Sequence, residues 1–115
     1  MNDPAAVFPA LSAILRRHAQ GMTIRTDERG HLYVELAPVT ARAKTRFFGA
    51  VQVRKSYVSY HLMPVYENPA LLEGVASGLL RRMQGRSCFN FTTVDASVLG
   101  ELDALTGRCA GAVRG

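Results

Sequence analysis

Residues 46–92 read RFFGAVQVRKSYVSYHLMPVYENPALLEGVASGLLRRMQGRSCFNFT, and this stretch decides the fold because it joins an alternating strand pair to a compact run of turn and helix signals. Apolar and polar residues alternate with a period of two on both sides of Lys55-Ser56, the pattern of a half-buried hairpin. A tight turn there sets Val53 opposite Val58, Val51 opposite Tyr60 and Gly49 opposite Leu62, which makes one face apolar. The same register puts Gln52 opposite Ser59, Arg54 opposite Tyr57 and Ala50 opposite His61 on the other face, because successive side chains point to opposite sides of a strand. Asn68-Pro69 and Ser77 each resemble helix starts, so Pro69 to Val75 and Gly78 to Met83 are expected to be two short helical pieces, the second closed by Gly85. Cys88 to Thr92 alternates again, with Phe89 and Phe91 expected in the core and Cys88, Asn90 and Thr92 on the polar face.

Upstream, Asp3-Pro4 reads as a cap and first turn, followed by Phe8, Leu11, Ile14, Leu15 and His18 at helical spacing. Pro9 conflicts with a regular helix there, since it removes a hydrogen bond and crowds the preceding turn. The helix is therefore expected either to begin near Pro9 or to have an irregular first turn, and to end at Gly21. Met22 and Ile24, then Leu32, Val34 and Leu36, alternate with polar residues around turn signals at Asp27 to Gly30. Their apolar residues pair across this hairpin only with an odd-length loop. Pro38 to Lys44 reads as an exposed, positively charged connection. At the other end Asp95 caps a last helix whose Val98, Leu99, Leu102 and Leu105 form an apolar stripe. Gly107 is expected to stop it and the residues from Arg108 to fray.

This order predicts an α+β fold, a twisted antiparallel sheet with the N- and C-terminal helices packed on one face. The 115 residues, 48% hydrophobic and 20% charged, suit one domain spanning 1–115. No leader pattern and no apolar run of the roughly 18 residues needed for a membrane span is visible, so a cytoplasmic location without a membrane partner is expected. Cys88 and Cys109 have neither metal-knuckle nor redox-pair spacing. The net charge of +5 is almost wholly arginine and favours anionic partners. It falls in separate groups, Arg42/Lys44/Arg46, Arg54/Lys55 and Arg81/Arg82/Arg86, without the continuous track of a nucleic-acid groove.

The segment KSYVSYHLMPVYENPALLEGVASGLLRRMQGRSCFNF, with HLMPVY at 61–66 and RMQGRSCFNF at 82–91, closely resembles the YdhG-like domain of unknown function. The resemblance runs from the first hairpin to the last helix. It implies the sheet-and-helix sandwich of the superfamily shared with frataxin/CyaY and YjbR. An iron-chaperone role is sometimes attached to such proteins through their frataxin relatives. Frataxins carry an acidic ridge on the first helix and adjoining strand, since hard cations require clustered carboxylates. Here the first helix offers Asp3, Arg16, Arg17 and His18, so metal handling is the third-ranked function and no metal ligands or cofactors are assigned.

The polar sheet face is where a site is expected. Thr23, Arg25, Tyr33, Gln52, Arg54, Tyr57, Ser59, His61 and Asn90 share it, and Gln52, Arg54, Tyr57, Ser59, His61, Arg82, Arg86 and Asn90 are the candidate ligand-binding residues. Ser59 and His61 sit two apart on one strand face, but no nearby carboxylate orients the imidazole, so the pair is not a triad. No glycine-rich phosphate loop is present. The chain is accordingly expected to be a non-catalytic binding module for a small anion or an acidic protein segment. Phosphate-backbone binding of nucleic acid, with Tyr33 or Tyr57 stacking on a base, is the alternative. Both monomer and homodimer are compatible with the pattern.

Overall fold

The computed structural model describes residues 4–36 and 46–114; the Asp3 cap and the Pro38–Lys44 connection lie outside them. Helix α1 (Pro4–Arg17) leads into β1 (Thr23–Glu28), β2 (His31–Leu36), β3 (Arg46–Val53) and β4 (Val58–Leu62). Then come α2 (Met63–Glu67), a 3-10 turn (Pro69–Leu72), α3 (Ser77–Leu80), β5 (Met83–Gln84), β6 (Cys88–Phe91) and α4 (Ala96–Arg114). The strands form one antiparallel sheet in the order β1-β2-β3-β4-β6-β5. The fold is α+β, as the alternation and the flanking helical stripes predict.

The β3–β4 register is the one expected, pairing Val53 with Val58, Gln52 with Ser59, Val51 with Tyr60, Ala50 with His61 and Gly49 with Leu62. Arg54 N–H donates to the Tyr57 carbonyl at 2.8 Å and closes the turn over Lys55-Ser56. Inward-facing Val51, Val58, Tyr60, Leu62, Phe89 and Phe91 are buried, and α1 (Val7, Leu11, Ile14, Leu15) and α4 (Val98, Leu102, Leu105) bury their stripes against them. Gly49 is where α1 comes closest. A Cβ there would stand 2.9 Å from the His61 carbonyl oxygen and 3.1 Å from Leu15 Cδ1, so only glycine lets the helix seat on this strand.

Several local expectations are corrected. The β1–β2 turn is even, with Glu28 paired to His31, and a bulge between Ile24 and Thr26 supplies the odd residue that brings Ile24 opposite Val34. A second irregularity, opposite Val34-Glu35, lies between Phe47 and Gly49. It resolves a conflict in strict alternation by burying Phe48 and turning Phe47 to the other face. Helix α1 runs continuously through Pro9. Met63 opens α2 instead of extending the strand, with Pro64 in its first turn, a position that lacks an intrahelical donor role anyway. The pieces expected over Pro69–Val75 and Gly78–Met83 shorten to the 3-10 turn and α3, and Met83 and Gln84 join the sheet as β5. Thr92 falls just past β6.

Gly107 does not stop α4, which continues with Cys109 and Ala110 buried. A Cβ at Gly107 would lie 3.1 Å from His18 Cε1, so this glycine admits the imidazole between the helices. Asp103 of α4 receives the C-terminal end of α1: His18 Nε2 is 2.6 Å from Oδ1 and Arg17 Nη1 is 2.7 Å from Oδ2. Asp95 caps α4 as expected, its Oδ1 accepting from Ser97 N–H at 3.0 Å and Val98 N–H at 3.3 Å.

The sheet and α4 meet at one fully buried polar contact. Tyr60 Oη lies 2.8 Å from Thr106 Oγ1, and Thr106 Oγ1 is 2.8 Å from the Leu102 carbonyl oxygen. The single threonine proton goes to that carbonyl, so the phenol donates. Burial holds the Tyr60 phenol protonated far above its ordinary range. Removing the two partners should therefore be unequal. Tyr60→Phe should cost about 1 kcal/mol, whereas Thr106→Val strands a buried donor and should cost about 1–3 kcal/mol, measured by urea unfolding; equal losses would contradict this donor assignment. Gly49→Ala should be destabilising by about 1–3 kcal/mol in the same assay, the usual cost of overpacking.

Candidate functional site

Because helices cover one face only, the outward residues of β3 to β6 meet solvent, and cross-strand pairing collects them into two rows. One is Gln52, Ser59 and Asn90; the other is Ala50, His61, Cys88 and Gln84. Arg54 and Tyr57 stand at the turn beyond the first row. These nine residues line one depression of about 200 Å³. Ala50, Ser59 and Cys88 carry short side chains, and the longer ones around them make the surface concave. Arg54 is the single arginine or lysine among these lining residues, and no carboxylate is among them.

Within the depression the polar groups are held by the sheet. Ser59 Oγ leans to the Gln52 carbonyl oxygen at 3.4 Å and not to His61. The partner of His61 Nε2 is Ser87 Oγ at 2.7 Å, a contact the sequence did not signal because twenty-six positions separate the two residues. Ser87 is buried, and its carbonyl accepts from Leu62 N–H at 2.9 Å. Burial depresses the pKa of His61. Burial also raises that of Cys88, against the opposing pull of the Arg54 guanidinium. Cys88 and His61 are directly opposed across β4 and β6, yet these directions keep both neutral near pH 7, so they form no thiolate–imidazolium pair. The chemistry on offer is hydrogen bonding around one cation.

Of the candidate residues, Gln52, Arg54, Tyr57, Ser59, His61 and Asn90 come together. Arg82 and Arg86 do not. Arg82 Nη1 donates to the Gly78 carbonyl at 2.7 Å and its guanidinium lies 5.8 Å from the ring centre of Phe91, a core-facing residue. Arg86 sits 5.9 Å from the ring centre of Tyr66 on α2. Gln84 and Cys88 line the depression although they were not candidates. Gln84 was hidden because it falls between the helical piece expected over Gly78 to Met83 and its closing Gly85, with no strand expected there, whereas the alternation of β6 already placed Cys88 on this face.

Beside the depression an aromatic row crosses β2 to β4. His31 is edge-on to Tyr33 at 6.3 Å, Tyr33 stacks on Phe47 at 4.7 Å and 24°, and Phe47 meets His61 edge-on at 4.9 Å. Phe47 reaches this row only through the β3 irregularity. Strand β3 separates His31 from His61, and among the described residues no three His, Cys, Asp or Glu side chains cluster as metal ligands. No helix among those residues is long and apolar enough to cross a membrane.

Compared with known proteins, the chain matches no family model, no curated protein and no solved structure.

The depressed His61 pKa has a thermodynamic consequence. A histidine that protonates less readily folded than unfolded binds fewer protons in the native state, so stability falls as pH drops from about 6.5 toward the folded pKa. Above that window both states are neutral and the effect vanishes. Unfolding free energies between pH 7 and 5 should decline more steeply for the native sequence than for His61→Gln; parallel curves would show that His61 does not carry the effect.

Proposed function

We propose that this chain is a non-catalytic binding module that holds a small anion, a carboxylate or phosphate, on the open sheet face. One observation carries the reading: Arg54 stands over a depression ringed by neutral hydrogen-bonding side chains, with no acid among the residues that line it. An ionised oxygen there would gain a charge-assisted hydrogen bond, about twice as strong as a neutral one. Ordinary ligand sites enclose roughly 300–1,000 Å³. The depression's 200 Å³ therefore suits an anionic headgroup and not a whole nucleotide. Gln52, Ser59 and Asn90 supply orientation, and neutral His61 adds an uncharged polar edge.

Nucleic-acid binding has less support, because Arg82 and Arg86 are drawn to Phe91 and Tyr66 and do not extend a basic track from Arg54. Membership of the YdhG-like family belongs to the same proposal; its support is the HLMPVY and RMQGRSCFNF motifs together with an antiparallel sheet covered by terminal helices on one face.

The test is a thermal-shift screen with phosphate and short carboxylates at two salt concentrations. A ligand selective for the native state at a hundred times its Kd stabilises by about 2.7 kcal/mol. The expected outcome is a salt-tolerant rise in Tm from at least one small anion, lost in Arg54→Ala, whose exposed side chain leaves the core untouched. No shift with any anion, or an undiminished shift in the variant, would overturn the reading.

A further inference from the structure

A second, larger cleft of about 810 Å³ opens at the end of the sheet, between the first half of α1 and the β1–β2 turn. It adjoins the depression, because Gln52 lines both. The residue paired with Gln52 across the strands is His31, another lining residue of the cleft. The cleft thus reaches round the sheet end onto the open face at the pair where the depression begins.

Its walls differ in chemistry from the depression. One side is apolar, made by Ala5, Phe8 and Pro9 of α1 and by Val53 at the end of β3. Val53 is 36% exposed although its strand partner Val58 is fully buried, and Phe8 is half-buried against the core. The other side carries Glu28, Arg29 and His31. Adjacent Glu28 and Arg29 offset each other's charge, so the cleft has no net attraction for an anion, whereas the depression has one. The larger volume falls in the range of small-molecule sites, about 300–1,000 Å³, and the smaller does not.

Resting on the anion reading above, we propose that the ligand is an amphipathic acid. Its carboxylate or phosphate is held at Arg54, and an aliphatic or aromatic body passes Gln52 into the cleft against Phe8, Pro9 and Val53. The two compartments divide the work: the depression selects charge, and the cleft removes apolar surface from water. Affinity then depends on the length of the body. Each buried methylene should tighten binding about three- to fourfold, until the cleft is filled.

The experiment is a titration of the isotope-labelled 115-residue chain with acetate, butyrate, hexanoate and octanoate, the last below its micelle concentration, followed by amide shifts in NMR spectra. Affinity should climb along the series. Acetate should perturb residues around Gln52, Ser59 and Asn90, and octanoate should add Phe8, Gly30 and Val53. Val53→Thr, nearly isosteric and at an exposed strand end, should weaken octanoate several-fold and leave acetate unchanged; Phe8→Ala provides a second variant on the facing wall. Equal affinities along the series, with shifts confined to the depression, would overturn this inference and leave the anion site standing. Octanoate binding as tightly to Arg54→Ala as to the native chain would overturn the pairing of head and body. Failure of acetate, phosphate and every longer acid alike would sink both the anion site and this extension of it.

Discussion

The register of the β3–β4 hairpin is the constraint on which the rest of the molecule depends. One two-residue turn at Lys55-Ser56 points Val51, Val58, Tyr60 and Leu62 inward and Gln52, Ser59 and His61 outward. Strand side chains repeat every two residues, so a slip of one position would exchange the two sets entirely. The core and the candidate site are therefore two faces of one pairing, and neither can be altered in register without the other. Strand β6 inherits the same phase through Ser59–Asn90 and His61–Cys88, which is why the depression spans strands distant in sequence.

Covering only one face creates the asymmetry. Each large apolar side chain that α1 or α4 buries contributes roughly 1.5–3 kcal/mol, more than the roughly 1 kcal/mol of an ordinary hydrogen bond. Apolar packing thus seats the helices, and polar contacts choose how they sit. Tyr60–Thr106 aligns α4 on the sheet, while Asp103 draws together the end of α1 and the middle of α4 through His18 and Arg17. The Arg17 and Asp103 side chains are partly exposed, so that ion pair adds orientation more than energy. With both helices on one side, the opposite face keeps its polar rows in contact with solvent.

That open face is not uniform. The depression's charge is Arg54, aromatic surface lies at Tyr33 and Phe47, and the partly apolar cleft adjoins where the sheet end meets α1. Neutral His61 and Cys88 lie one row further from Arg54 than Gln52, Ser59 and Asn90. A surface partitioned in this way sets a charged group and hydrogen-bonding sides in the depression beside a partly apolar cleft, the two meeting at Gln52.

Local periodicity in the sequence determined the β3–β4 register and its turn, the Asp95 cap and the identity of six clustered polar residues, because neighbouring residues set side-chain direction within a strand or helical turn. Tertiary structure decided everything that depends on contact between remote segments. Phe48 went inward and Phe47 outward because the β3 irregularity, not alternation, governs them. Gly107 stayed inside a helix because it faces His18, and Arg82 and Arg86 left the site because Gly78, Phe91 and Tyr66 offered nearer partners. His61 found Ser87 across twenty-six positions, and the cleft beside Gln52 exists only where α1 overhangs the sheet end. No pattern of neighbours encodes such encounters, since they arise from how helix, turn and strand fill the same volume.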